Sequence, residues 1–202
     1  MRRKTFDALL TTGGLVVAIM LAVAGGLLAW GHDFVQNNVH RQLASQQVFF
    51  PDRAAITAEK NTDIAKYVTP YAGQQVVNGQ QAEVFANHYI ANHLKGVADG
   101  QTYSQVSHEL MSMKPTDANY DTVAQQKATL FQGETLRGLL LNAYAFGKMG
   151  EIAGIASIAA FAGAGVMLLL SGLGFLHARR TNPDAEVMAW LTEKTKDPTP
   201  VS

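Results

Sequence analysis

The stretch IAGIASIAAFAGAGVMLLLSGLGFL, residues 152–176, decides how the rest of the chain is understood. It holds no charged residue, and at about 1.5 Å per residue it is long enough to cross a hydrocarbon layer of about 30 Å with some tilt. Working outward, the segment from Tyr120 to Lys148 is amphipathic, and His177, Arg179 and Arg180 close the run on its other side. One long helix from about 120 to 180 is expected, polar at its start and membrane-spanning at 151–176.

A second charge-free run covers 9–30, after a basic start at 1–8 that carries Arg2, Arg3 and Lys4. A signal peptide has the same basic start, and Ala22-Val23-Ala24 offers small residues at a cleavage-like spacing. The apolar run, however, outlasts an ordinary signal core and continues past that site to Trp30, a residue suited to the membrane interface. A retained first span is therefore expected. Basic residues flank the two spans at 1–8 and 177–202, so the positive-inside rule puts both termini in the cytoplasm and the segment 31–150 outside the cell membrane. The expected fold is an all-α membrane protein, two transmembrane helices extended as a helical stalk that carries a small extracytoplasmic helical domain.

Composition removes several functions. Sixteen basic residues balance sixteen acidic ones, and no basic stripe lies outside the membrane flanks, which argues against a nucleic-acid partner. The chain has no cysteine, which excludes disulfides, thiolate metal sites and cysteine nucleophiles. Neither span has an ionisable residue at its centre, so no proton or ion path through the chain alone is expected.

Small residues recur at four-residue spacing in both spans: Ala18, Ala22 and Gly26 in the first, Ala156, Ala160 and Ala164 in the second. Stripes of this kind let helix backbones approach closely, where van der Waals contact does the work that hydrophobicity cannot do in lipid. They are expected to pack the two spans of one chain together, with a seam between copies as the alternative. The expected partners are accordingly the lipid bilayer and another membrane protein or a second copy.

Past Trp30, Phe34, Val35, Val39 and Leu43 follow near-helical spacing, so the first span should continue as a stalk that stops before Pro51. Its mate is the segment bearing Leu136, Leu140, Ala143 and Gly147, with Glu134 and Arg137 paired across one turn. Phe49 and Phe50 should plug the core of the central domain; a lipid or partner contact is the sharper alternative. A strand at Gln75-Val76-Val77 has no evident partner. Asn78 caps the clearest amphipathic helix, whose buried face is expected to run through Ala82, Phe85, Ala86, Tyr89, Ile90, His93 and Val97. Thr102 with Gln105 forms a capping box for a short helix facing inward through Tyr103, Val106 and Leu110. Asn182-Pro183-Asp184 has the signature of a helix start in the tail.

No catalytic, cofactor or metal residues are expected. His88 and His93 are five apart and fall on different helix faces, and a metal site would need His93, His108 and Glu109 to meet across elements. His32 beside Asp33 near the membrane surface suits a solvated pair better than a proton-handling one. No serine stands in a nucleophile-elbow setting. A small apolar or lipid ligand held between Phe49, Phe50, Phe85 and Tyr89 is the alternative to a scaffold role.

The basic start, a single span, a helical middle with caps at Asn78 and Thr102, and a second span ending Gly174-Phe175-Leu176-His177-Ala178-Arg179-Arg180 together resemble small two-span envelope proteins of actinobacteria, whose function is unassigned. Some of these carry the description aromatic ring-opening dioxygenase. That activity needs iron held by positioned histidines and a carboxylate, for which this sequence supplies no motif. The resemblance implies a cell-envelope setting and no activity.

Overall fold

In a computed structural model that describes residues 3–180, the chain is all-helical. Two helices dominate: α1, Arg3–Ser45, and α7, Tyr120–Arg180. Both are long and apolar enough to cross a membrane, and only 11% of the most apolar window of each is buried. A core helix of a water-soluble domain would have that window mostly covered. Between them lie α2 (Arg53–Ala58), α3 (Thr62–Val68), a 3₁₀ turn at Thr69–Tyr71, α4 (Gly79–Val84), a π-helical turn at Phe85–Ile90, α5 (Ala91–Lys95) and α6 (Tyr103–Ser112). The tail helix expected at Asn182-Pro183-Asp184 lies outside the described residues.

The chain divides into two compact units, Met1–Trp30 with Ala153–Ser202, and Gly31–Ile152. In the first, α1 and α7 run antiparallel along a seam with alternating three- and four-residue spacing, Gly14, Ala18, Leu21 and Gly25 on one helix and Ser157, Ala160, Ala164, Met167 and Ser171 on the other. This is the 3.5-residue period of two helices that wind around each other, and it differs from the four-residue stripes read from the sequence. Ala18 and Ala164 are buried at the seam, Ala160 lies along it and Ala22 and Ala156 border it, but Gly26 faces outward. Gly25 takes its place: a Cβ there would lie 3.2 Å from the Phe161 ring, whereas one at Gly26 would meet nothing within 4 Å. A strict four-residue stripe drifts around the helix, and by the third member it has left the contact.

In the second unit, Val39, Leu43, Val123, Leu130 and Leu140 of α1 and α7 share one core with the short helices. Asp52, Asn61, Asn78 and Thr102 each cap a helix by accepting from a backbone N–H, and the Thr102–Gln105 capping box is complete. The segment Gln75-Val76-Val77 does have a partner. Phe49 and Gln75 form an isolated antiparallel bridge, with the Phe50 amide donating to Gln74 at 2.9 Å and the Val76 amide to Val48 at 2.9 Å. Pairing residues so distant in sequence is not visible in either segment's own pattern.

The helix after Asn78 is interrupted where periodicity showed none. The Ala91 amide donates to the Ala86 carbonyl, five residues back, so the turn is one residue wider than an α-turn. From there the buried face moves on by one: Ile90, Leu94 and Ala98 are buried, while His93 is exposed and Val97 half-buried. Arg137 of α7 occupies the opened carbonyl, donating from Nε to Ala86 at 3.1 Å and from Nη2 to Asn87 Oδ1 at 3.3 Å. A side chain bonding into the helical ladder is a recognised cause of such a widening.

Candidate functional site

A groove of about 460 Å³ lies in the second unit between residues 34–46 of α1 and 136–146 of α7. Two polar contacts fix the register of these helices: Gln36 Nε2 donates to the Gly147 carbonyl at 2.9 Å, and His32 Nδ1 donates to the Gly150 carbonyl at 2.7 Å. Glycine at 150 permits this approach, since a Cβ there would come within 3.0 Å of the Gln36 amide nitrogen and 3.2 Å of Val35. His32 is thereby committed to holding the helix pair.

The floor of the groove is aliphatic, built on the buried Val39, Leu43 and Leu140. Its rims are apolar and exposed: Phe34 is 54% exposed, Leu139 60% and Phe146 54%. The polar lining consists of side-chain amides, Asn38, Gln42 and Gln46 along α1 and Asn142 on α7. Gln42 Nε2 donates to Asn38 Oδ1 at 3.3 Å, one turn apart. No lining residue is ionisable. Such a surface can bind an apolar object and hydrogen-bond its uncharged edge, and it offers nothing to neutralise a charge.

The aromatic residues singled out in the sequence separate. Phe50 is 2% exposed and Phe85 7%, their rings 5.2 Å apart edge to face, with Tyr71 stacked on Phe50 at 5.2 Å and Tyr89 4.9 Å from Phe85. These rings pack against one another as core. Phe49 does not join them: it is 56% exposed, because successive residues of the extended segment 48–50 point to opposite sides. Tyr103 likewise sits at the surface against Phe131, at 5.6 Å, while Val106 is buried.

The histidines also separate. His93 donates from Nδ1 to the Tyr89 carbonyl at 2.7 Å and turns Nε2 to Glu59 at 3.5 Å. Burial raises the pKa of the Tyr89 hydroxyl, and the Glu59 carboxylate adds to the effect. His88 donates from Nδ1 to Asp63 at 3.0 Å and stacks on Tyr67 at 3.8 Å, while Asn92 donates to the same Asp63 oxygen at 2.6 Å. The two donors hold the Asp63 carboxyl below its usual range, His88 contributing most. This cluster ties α3 to the π turn. Among the described residues, no three His, Asp or Glu side chains are grouped to hold a metal ion.

Sequence periodicity put Phe34, Val35, Val39 and Leu43 on one stalk face, and so missed the groove. What separates them is burial set by packing: Val39 and Leu43 are buried and Val35 is half-buried against the core, whereas Phe34 stays exposed beside them, as Leu139 and Phe146 do beside Leu136, Leu140 and Ala143. No protein-family model, curated protein or solved structure matches this chain, so the groove and its chemistry carry the functional inference alone.

Proposed function

We propose that the chain is a non-enzymatic, two-span integral membrane protein of the cell envelope, with both termini cytoplasmic and 31–150 outside, and that it acts as a scaffold or accessory subunit of a membrane complex. The observation that carries this is the uncharged groove with exposed Phe34, Leu139 and Phe146 on its rims. Large apolar side chains gathered on one surface mark a binding face. The basic residues that flank the apolar runs support the orientation.

The test is purification of a C-terminally tagged chain in mild detergent beside its Leu139→Glu variant. A stoichiometric subunit retained by the parent and lost from the variant is expected; identical behaviour of the two would remove the groove as the docking face. Because the chain lacks cysteine, single cysteines at Lys127 and Arg180 report topology, and an impermeant maleimide should label only the first in intact cells.

The second reading, an extracytoplasmic module for a small apolar or lipid ligand, is favoured by the groove's volume, which falls in the range of about 300–1,000 Å³ typical of small-molecule sites. A defined lipid released on denaturing the purified chain, and absent from Leu139→Glu, would select it.

A further inference from the structure

We infer that the groove between α1 and α7 is an interface between two copies of this chain, each groove receiving the other's rims to complete a four-helix arrangement. This rests on the docking role proposed above and names the occupant.

The chemistry of the lining points to self-association. Two copies inserted the same way are related by a two-fold axis along the membrane normal, so each patch meets its own duplicate at the same level. A charged row would then face its own sign, and this groove has no ionisable lining residue. Its polar groups are Asn38, Gln42, Gln46 and Asn142, side-chain amides that each carry a donor and an acceptor and can therefore pair with their own kind. A hydrocarbon chain laid over these amides would offer them no partner, whereas a second copy brings matching donors and acceptors. Apolar rims around an apolar floor supply the burial: Leu139 and Phe146 project from α7, and a groove running along residues 34–46 of α1 is about 18 Å long, room for several turns of a facing helix. Antiparallel helix pairs that dimerise through such a face make the common four-helix bundle.

The seam between the two apolar helices is already occupied within one chain. Within the first unit Gly25 already lies against Phe161, and Ser157 donates to the Gly25 carbonyl at 2.8 Å. A second copy must use a surface other than that seam, and the composition of the groove suits one.

Two differently tagged chains, one with Gln42→Cys and the other with Leu139→Cys, are co-expressed and oxidised in native membranes. A disulfide-linked species carrying both tags is expected, on the order of tenfold more abundant than from the pair Asn37→Cys and Lys148→Cys, since cross-linking requires Cα atoms within about 7 Å. Asn37 and Lys148 are exposed and do not line the groove. Leu139→Glu should reduce the dimer to monomer with helicity unchanged, because Leu139 is already 60% exposed. Cross-linking no stronger than the control pair overturns the inference, as does a monomer that releases stoichiometric lipid. If the groove pair fails while Leu139→Glu still strips a different subunit from the parent, the self-interface is wrong and the scaffold role stands.

Discussion

Ser157 Oγ donates a 2.8 Å hydrogen bond to the carbonyl of Gly25, joining two apolar helices at positions 132 residues apart. The bond forms because Gly25 has no side chain to hold the helices apart, and a Cβ there would meet the Phe161 ring at 3.2 Å. Gly25→Val should therefore destabilise the span pair by about 1–3 kcal/mol through overpacking. Ser157→Ala should cost only about 0.6 kcal/mol, the average for hydrogen bonds between membrane helices. Unfolding titrations in detergent micelles, followed by circular dichroism, would rank the two; a larger loss from Ser157→Ala would show that the hydroxyl, not close approach, holds the seam.

Arg137 serves three acceptors at once, Glu134 at 2.7 Å, the Ala86 carbonyl at 3.1 Å and Asn87 at 3.3 Å. Arg137→Leu leaves the widened turn without its external donor and should cost about 1.5–3 kcal/mol, the range for bonds to charged groups. Amide exchange should accelerate at 85–91 more than in α6. Uniform acceleration across the second unit would assign the effect to packing.

Asp63 is a pH-sensitive tie. Its folded-state pKa lies below 3.8, lowered first by the His88 hydrogen bond and then by Asn92. The stabilisation is complete above the unfolded-state value and is lost as pH falls through the lower folded one, on the acid side of the ordinary carboxylate range. Half-exposure of the carboxylate keeps the effect small. Asp63→Asn should flatten the acid side of a melting-temperature profile and leave the neutral side nearly unmoved apart from a constant offset. Parallel acid limbs for variant and parent would show that other carboxylates govern that range.

Phe50 and Phe49 are adjacent and opposite in burial, at 2% and 56% exposure. Phe50→Ala should cost about 3–5 kcal/mol by emptying a site framed by Tyr71 and Phe85. Phe49→Ala should cost less than about 1 kcal/mol. Thermal unfolding of the two variants under identical conditions decides it; comparable losses would place Phe49 in a contact of its own.

How much was legible depended on how local the cause was. The caps at Asn78 and Thr102 act over three residues, and both are where the sequence put them. The Glu134–Arg137 pair, one turn apart, formed for the same reason. The face through His93 and Val97 was misplaced by one residue because Arg137, some 50 positions away, opens the helix at Ala86. Gly26 was chosen over Gly25 because a four-residue stripe assumes a straight helix, whereas two helices in contact follow a 3.5-residue repeat. The groove went unseen because periodicity separates buried from exposed faces but cannot tell which exposed residues of two distant segments come to share one surface.

By itself, the sequence determined the all-helical class, the two apolar runs able to cross a membrane, and the helix caps, since charge, hydropathy and capping are set by neighbours a few residues away. The tertiary structure alone decided the partner of Gln75, the widened turn at Ala86, the Gly25 seam and the amide-lined groove between α1 and α7. Each of these depends on groups tens to more than a hundred residues apart meeting at a distance of a few ångströms, and such a meeting is fixed only when the chain has packed.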